Sequence, residues 1–199
     1  MPASTATVAR PPRGEARRSH IAEAALRVIA GVGPDGLTHR AVAAEAGLPV
    51  AATTYWFSSK EDMVRAALEH AAERDLRYLD TLRTASRDWT IASLPDALAA
   101  MVERSCTDRR QNAVVDCTLW LEALRRPELR PIAQRWIDAY ATFCADVLRN
   151  VGAPGTDADA RLLGATVDGL TSHRMVADGP FDRVAVTAQL ERLVAALAG

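Results

Sequence analysis

The hydrophobic residues of this chain recur at helical spacing along almost its whole length. Ile21, Ala25, Val28 and Ile29 mark the first such run, which stops at the glycine-rich segment 31–36. No segment gives a convincing strand pattern; 112–117 is β-branched but lies inside a helix-period run. The pattern therefore predicts an all-α protein with about nine helices.

Two short helices are predicted next, joined by a tight turn at 47–49. Thr38 is a natural N-cap for the first, because its hydroxyl can accept a hydrogen bond from the exposed amides of the first turn. Gly47 is expected to end that helix, and Pro49 to occupy the first turn of the next, which runs to about Trp56. The remaining predicted helices begin at Ser58 or Ser59, at Ser93 (to about Asp108), at 110 (to 125), at Pro127 (to Val151), at Thr156 (to the Asp178-Gly179-Pro180 stop) and at Asp182 (to about Leu197).

The two short helices have the layout of a helix-turn-helix. The first buries small residues, Val42, Ala43 and Ala46, against a neighbour. The second is thereby held with its outer face free to enter the major groove of DNA. This interpretation makes binding, and not catalysis, the chemistry of the segment.

Charge is distributed unevenly along the chain. The net charge is −1 overall, but residues 1–60 carry seven basic and four acidic side chains, a balance of +3. A basic head on an acidic body suits a phosphate-binding head and a body with another task. Residues 1–14 lack apolar periodicity and are predicted to form a disordered basic arm, whose arginines either reach the flanking DNA or stay solvated.

Cysteine and histidine usage gives no metal or redox motif. Cys106, Cys117 and Cys144 are odd in number, form no CxxC pair, and are expected to be buried in a reducing cytosol; a redox-sensing thiol is the alternative. We predict no metal site and no cofactor. The chain has no run of 18 apolar residues and no hydrophobic signal segment at its start, so we expect a cytoplasmic protein.

Residues 17–65 resemble the tetracycline-repressor (TetR) family of bacterial transcriptional regulators. The resemblance is carried by matching residue types and spacing at Ile21, Ala24-Ala25-Leu26, Gly33, Leu37-Thr38, Val42-Ala43, Ala46-Gly47, Phe57, Ser59-Lys60-Glu61 and Met63. It implies a helix-turn-helix domain over 15–60 and a helical effector-binding and dimerisation domain over 61–199. The implied function is that of a homodimeric repressor, not an enzyme, which binds a palindromic operator and is released by a small molecule.

The resemblance also suggests which residues contact DNA. Lys60, with Thr38, His39 and Arg40, would bind phosphates, which gives affinity but no sequence preference. The exposed face of the second short helix lacks Arg, Asn and Gln, so bases would be read by thymine-methyl contacts, hydroxyl groups and DNA shape. Thr53 is expected to turn inward. The candidate base-reading face consists of Val50, Ala51, Thr54 and Tyr55; Trp56 either lies along a phosphate or packs beneath the helix. The family often has Tyr at position 54 and His at position 56, so this chain departs from the pattern there.

The last two helices are predicted to form the dimer interface as an isologous four-helix bundle. The alternative is that their apolar stripes serve only the protomer core. The interface residues would be Leu163, Val167, Leu170, Val186, Leu190, Leu193 and Val194.

The middle helices are predicted to hold an effector. The segment from Ala113 to Leu124 is apolar nearly all round, as expected of a helix at the centre of a bundle. Aromatic side chains with a few polar groups are typical of small-molecule sites, although core packing can explain each one singly. Asp116, if buried, would need a partner or a cationic ligand. The candidate ligand-binding residues are Met101, Cys117, Trp120, Leu121, Trp136, Tyr140, Phe143 and His173.

Two other functions stay open. The DNA-binding head could serve an activator or a regulator that answers a protein partner. A small helical enzyme built on Asp116, His173 and Cys117 is a remote alternative, because the chain has no nucleophile-elbow motif and no phosphate loop.

Overall fold

A computed structural model describes residues 13–199. In that range the chain forms nine α-helices and no strand, which confirms the all-α prediction. Residues 1–12, most of the predicted arm, lie outside the described residues, and the first helix begins at Arg13, so the last two residues of that predicted arm are helical. The helices are α1 (Arg13–Val32), α2 (His39–Ala46), α3 (Val50–Trp56), α4 (Lys60–Ala85), α5 (Leu94–Cys106), α6 (Arg110–Arg125), α7 (Arg130–Asn150), α8 (Asp157–Val176) and α9 (Arg183–Ala198), with single 3-10 turns at Pro34–Gly36, Ser86–Asp88 and Pro127–Leu129.

The chain divides after His70 into two compact units. The first contains α1, α2, α3 and the start of α4, and α2 packs against both α1 and α3. Its core is formed by apolar side chains that the structure buries almost completely, among them Ile21, Ile29, Leu37, Val42, Phe57, Met63 and Leu68.

Local capping fixes the ends of the short helices. The Thr38 hydroxyl accepts a hydrogen bond from the Ala41 amide at 3.1 Å, as predicted. Gly47 ends α2 in the left-handed region, with φ of 65°, and the following amide bonds back to the Ala43 carbonyl at 2.9 Å. Pro49 is the N-cap of α3 and not a first-turn residue, a one-position difference from the prediction.

The second unit is a bundle in which α8 packs against α5 and α7, and α9 packs against α5. Thr156 and Asp159 form a reciprocal capping box that starts α8. The shared core of the bundle includes Leu94, Leu98, Val102, Phe143, Cys144, Val147, Leu148, Leu163, Val167, Val186, Leu190 and Val194.

This core uses the stripes that were predicted to form the dimer interface. Leu163, Val186 and Leu190 are 0% exposed within one protomer, and Val167 and Val194 are below 5%. Leu170 and Leu193 are half-buried against the same core. The predicted interface is therefore corrected: these faces of α8 and α9 are already covered by α5 and α7.

The expectation that residues 113–124 form a helix buried at the centre of the bundle is also wrong. Leu121 is 57% exposed and Leu124 is 75% exposed, so α6 is amphipathic and buries one face only. That face carries Ala113, Val115, Leu119 and Ala123. Across residues 13–199, the helices lack the combination of length and apolar character that a bilayer crossing requires.

Candidate nucleic-acid interface and effector cavity

The outer face of α3 is open to solvent. Tyr55 is 79% exposed and Val50 is 43% exposed, and Ala51 and Thr54 are exposed beside them. All four residues predicted to read bases thus share one accessible face of a seven-residue helix. The face offers methyl groups, one aliphatic hydroxyl and one phenol.

Thr53 anchors the opposite face of α3. It is fully buried, as predicted, and its hydroxyl donates to the Val50 carbonyl at 2.8 Å. The same oxygen lies 3.2 Å from Nδ1 of His39, at the start of α2. His39 therefore links α2 to α3, which is a positioning contact that the sequence did not reveal.

Trp56 is half-buried and packs toward α1. A Cβ added at Gly14 would lie only 3.2 Å from its indole ring, so the ring occupies the space beside that glycine. Its ring also meets Tyr55 edge to face, with centroids 5.1 Å apart. Of the two alternatives for Trp56, this arrangement favours packing beneath the helix.

The predicted phosphate-contact residues lie at helix starts. Thr38 caps α2, and Arg40 is exposed in its first turn. Lys60 begins α4, and its ammonium group donates to the Asp35 carbonyl at 2.7 Å. Two of the three ammonium protons remain for other acceptors.

A cavity of about 100 Å³ lies within the second unit, beside a larger open space of about 340 Å³. Trp120, Trp136, Tyr140 and Asp168 line both. The aromatic rings form a continuous series: the Trp120 and Trp136 centroids are 5.2 Å apart, and those of Trp136 and Tyr140 are 4.9 Å apart.

Five of the eight predicted ligand-binding residues line the smaller cavity: Met101, Cys117, Trp120, Trp136 and Tyr140. The other three do not. Leu121 faces outward on α6, His173 is exposed near the end of α8, and Phe143 is 1% exposed in the core behind Tyr140. Each of these three side chains fails to line the cavity because its position on the helix turns it away.

Three carboxyl groups line the smaller cavity, and only Asp116 was singled out from the sequence. Asp75 is 4% exposed and accepts hydrogen bonds from Arg109 at 3.0 Å and from Arg74 at 3.2 Å. Asp116 is hydrogen-bonded to Asp75, and burial, followed by the charge of Asp75, raises its pKa well above the usual value. Burial raises the pKa of Asp168 to about 7.

Two family models match the chain and together cover both units. The model described as "Bacterial regulatory proteins, tetR family" matches residues 21–67. The model described as "Tetracyclin repressor-like, C-terminal domain" matches residues 89–197, which is more than half of the chain. The chain belongs to the TetR family.

Individual proteins similar to this chain agree with the family assignment. The transcriptional regulator BetI of Burkholderia thailandensis is 28% identical over 173 residues, which cover 84% of this chain and 86% of BetI. A TetR-family structure from Streptomyces coelicolor is 33% identical, covers 92% of this chain and 98% of its own, and superposes with a TM-score of 0.71. The multidrug binding protein EbrR, solved with imidazole, is 33% identical, with coverage of 92% and 96% and a TM-score of 0.69.

The TetR assignment makes the chain a DNA-binding transcriptional regulator and not an enzyme. The three residues of the enzyme alternative do not assemble into a site: Asp116 and Cys117 line the cavity, whereas exposed His173 does not. Among residues 13–199, no three His, Cys, Asp or Glu side chains are grouped to hold a metal ion.

The cysteines of this TetR-family chain are free thiols. Burial raises the pKa of Cys106 and Cys117, and raises that of Cys144 to about 12. Since the thiolate is the reactive form, all three are kept in the less reactive state at neutral pH. The expected burial holds for Cys144, whereas Cys106 and Cys117 are only half-buried. The raised pKa values argue against a redox-sensing role for any of the three.

Proposed function

We propose that the chain is a homodimeric repressor that binds a palindromic operator and is released by an aromatic organic cation. The observation that carries the proposal is the pairing of an exposed α3 face in the first unit with an aromatic, carboxyl-bearing cavity in the second. The first part is tested by gel shift with the DNA upstream of the gene. A protein that never prefers a palindrome to random duplex would refute it.

The DNA contacts divide into two groups. Arg40 and Lys60, with the amino end of α2, would bind phosphates and set the register of α3 in the major groove. The exposed α3 face would then read thymine methyls through Val50 and Ala51, and acceptors through the hydroxyl groups of Thr54 and Tyr55.

Neutralising the basic residues is expected to weaken binding to all DNA sequences alike. Arg40→Ala and Lys60→Gln each remove one charge, and the glutamine amide can still donate to the Asp35 carbonyl. Because a dimer carries two copies, each substitution should reduce the slope of log affinity against log salt by about 2. Fluorescence anisotropy over a salt series measures this slope.

Arg87→Ala is the matched control, because Arg87 is exposed in the second unit. It should leave both affinity and slope unchanged. An unchanged salt slope in both Arg40→Ala and Lys60→Gln would show that these two residues do not contact phosphates.

The dimer interface is now proposed on the outward faces of α8 and α9. Leu162 is 51% exposed on α8, and Val184 is 81% exposed on α9. Small residues accompany them, and a Cβ at Gly169 would meet nothing within 4 Å, so a partner helix has room to approach. The proposed faces consist of Leu162, Ala165, Gly169 and Val176 on α8, and of Val184, Ala188 and Ala195 on α9.

Leu162→Arg is expected to shift the protein toward monomer, because it places a charge in an apolar helix–helix contact. Leu121→Arg is the control: its leucine is exposed to a similar degree, 57%, but lies on α6 outside the proposed interface. Sedimentation velocity at micromolar concentration distinguishes the two. A dimeric Leu162→Arg beside a monomeric Leu121→Arg would place the interface on α6 instead.

The lining of the cavity supports an aromatic cation as effector. Aromatic faces attract cations, and carboxyl groups supply the counter-charge. EbrR, a 32–34% identical neighbour, has been solved with proflavin, with ethidium and with malachite green. Malachite green is expected to release the operator in the gel shift, with dye and DNA alone as control. Retention of the operator at saturating dye would refute release by this class of ligand.

Helix α4 provides a route for the response. It begins at Lys60, and its residues Asp75, Tyr78, Leu79 and Leu82 line the cavity. An effector that binds the DNA-incompetent form more tightly would shift α4 and change the spacing of the two heads. A coupling of ~1–3 kcal/mol would weaken operator binding by about 5–150-fold.

A further inference from the structure

Asp168 differs from the other carboxyl groups of the cavity because it has no partner. Within residues 13–199 it makes no hydrogen bond and no ion pair, whereas Asp75 has two arginines and Asp116 has Asp75. It also lies where the smaller cavity and the larger space meet, since it lines both.

The groups that face Asp168 do not balance its charge. Tyr140 and Cys144 from α7 and Cys117 from α6 are titratable neighbours, and burial raises the pKa of each, so all three are neutral at pH 7. Asp116 from α6 lines the same cavity, and burial raises its pKa as well, so it supplies no positive charge. The α5 residues of the smaller cavity, Met101 and Ser105, carry no charge.

The remaining charged groups are already paired. Arg161 lines the larger space but is bound to Asp157 at 2.9 Å and lies 3.7 Å from Asp138. Arg109 lines the smaller cavity but is bound to Asp75 and lies over the Tyr78 ring at 3.7 Å. In the described part of the chain, no cationic side chain is therefore left to pair with Asp168.

Trp136 adds a second unsatisfied group to the same place. Its indole N–H is buried and has no acceptor among the described residues, and its ring lies between those of Trp120 and Tyr140. Buried donors of this kind are rare unless a bound molecule completes them. An anion is the wrong ligand for a site that also holds Asp168, and no three His, Cys, Asp or Glu side chains among residues 13–199 are grouped to hold a metal ion.

We propose that Asp168 is the counter-ion of the effector's positive charge, and that the effector binds in exchange for the proton on Asp168. In the free protein the carboxyl group is about half protonated at pH 7, because burial disfavours its ionised form and raises its pKa to about 7. On binding, the proton leaves to solvent and the carboxylate pairs with the organic cation between the aromatic rings. The proposal rests on the proposed effector class and assigns its charge to one residue.

The test uses the intact protein and ethidium, which keeps its positive charge at every pH used. Dissociation constants are measured by fluorescence between pH 5.5 and pH 8.5. Because only the ionised fraction of Asp168 binds, affinity should rise with pH and level off above pH 7. With a pKa of about 7, the total change should be about 30-fold.

Asp168→Asn should remove this pH dependence and bind ethidium at pH 8.5 at least as weakly as the unaltered protein does at pH 5.5. Asp146→Asn, which changes a half-buried carboxyl group on α7 that does not line the cavity, should keep the full dependence. A flat profile in the unaltered protein, or an unchanged profile in Asp168→Asn, would overturn the assignment.

A second measurement does not need the variant. Calorimetry at pH 6.5 in two buffers of different ionisation enthalpy should show release of about 0.8 proton per ethidium bound. Absence of proton release would overturn the exchange even where binding is tight. If ethidium does not bind at pH 8.5, the proposed effector class fails and this inference fails with it, whereas pH-independent binding refutes the inference alone.

Discussion

Asp75→Ala is expected to destabilise the second unit by about 3–5 kcal/mol, because removal of one partner leaves the others buried and uncompensated. Arg109 and Arg74 would lose the carboxylate that they share, and Asp116 would lose its hydrogen-bond acceptor. Only 6% of the Asp75 side chain is exposed, against 21% for Arg74 and 25% for Arg109, so the contacts that are lost centre on the most buried member of the group. Urea unfolding monitored by circular dichroism measures the loss.

Asp138→Ala is the control for this prediction. Asp138 contacts Arg161 at 3.7 Å and Gln134 at 2.9 Å, but its side chain is 54% exposed. An exposed ion pair contributes about 0–1 kcal/mol, so this change should be small. The destabilisation caused by Asp75→Asn should lie between those of Asp75→Ala and Asp138→Ala, because Asp116 can then ionise beside the arginines. Equal midpoints for Asp75→Ala and Asp138→Ala would show that the buried arrangement does not stabilise the fold.

Asp168→Asn is expected to stabilise the free protein, increasingly so as pH rises. Burial raises the pKa of this carboxyl group from 3.8 to about 7, so the folded state binds more protons than the unfolded state between these values. Stability contributed by the protonated group is therefore lost as pH increases through that window. A shift of three pKa units corresponds to at most about 4 kcal/mol of unfolding free energy. Because water reaches the carboxyl group in part through the cavity, the expected gain in stability is about 2–4 kcal/mol.

The measurement compares urea midpoints of Asp168→Asn and the unaltered protein at pH 4.5 and at pH 8. The advantage of the variant should be small at pH 4.5 and near its maximum at pH 8. Asp146→Asn should give the same difference at both values, because Asp146 is 39% exposed and bound to Arg149. A stability difference that does not grow with pH would contradict the burial of an ionised Asp168.

Much of the first unit was predictable because its signals are local. Thr38 and Gly47 mark the ends of α2 by their own chemistry, and the inward position of Thr53 followed from the family resemblance. The link between His39 and Thr53 was not predictable, since it joins two helices whose relative placement depends on tertiary packing.

The second unit shows what an apolar stripe leaves undecided. Leu163 and Val167 lie on an apolar stripe, but a stripe looks the same whether it meets a partner subunit or a neighbouring helix. Helices α5 and α7 of the same protomer cover these faces, and that arrangement depends on contacts far apart in sequence. Leu121 was misplaced for a related reason, since a short run of apolar residues hid the two-faced character of α6.

The carboxyl groups of the cavity did leave a signal in the sequence. Asp75 interrupts the apolar stripe of α4 between Ala71 and Leu79, and Asp168 follows buried Gly164 by one helical turn. A charged residue at an inward position of an otherwise apolar stripe is costly, and therefore indicates a partner or a ligand.

The side-chain chemistry of α3 bears on how the regulatory circuit can evolve. Without a bidentate reader, each proposed contact of Val50, Ala51, Thr54 or Tyr55 separates right from wrong base pairs by a small free energy. We expect such a protein to tolerate sequence drift among its target promoters. One mutation that introduces Arg or Asn on this open face would then suffice to give the lineage a new preference.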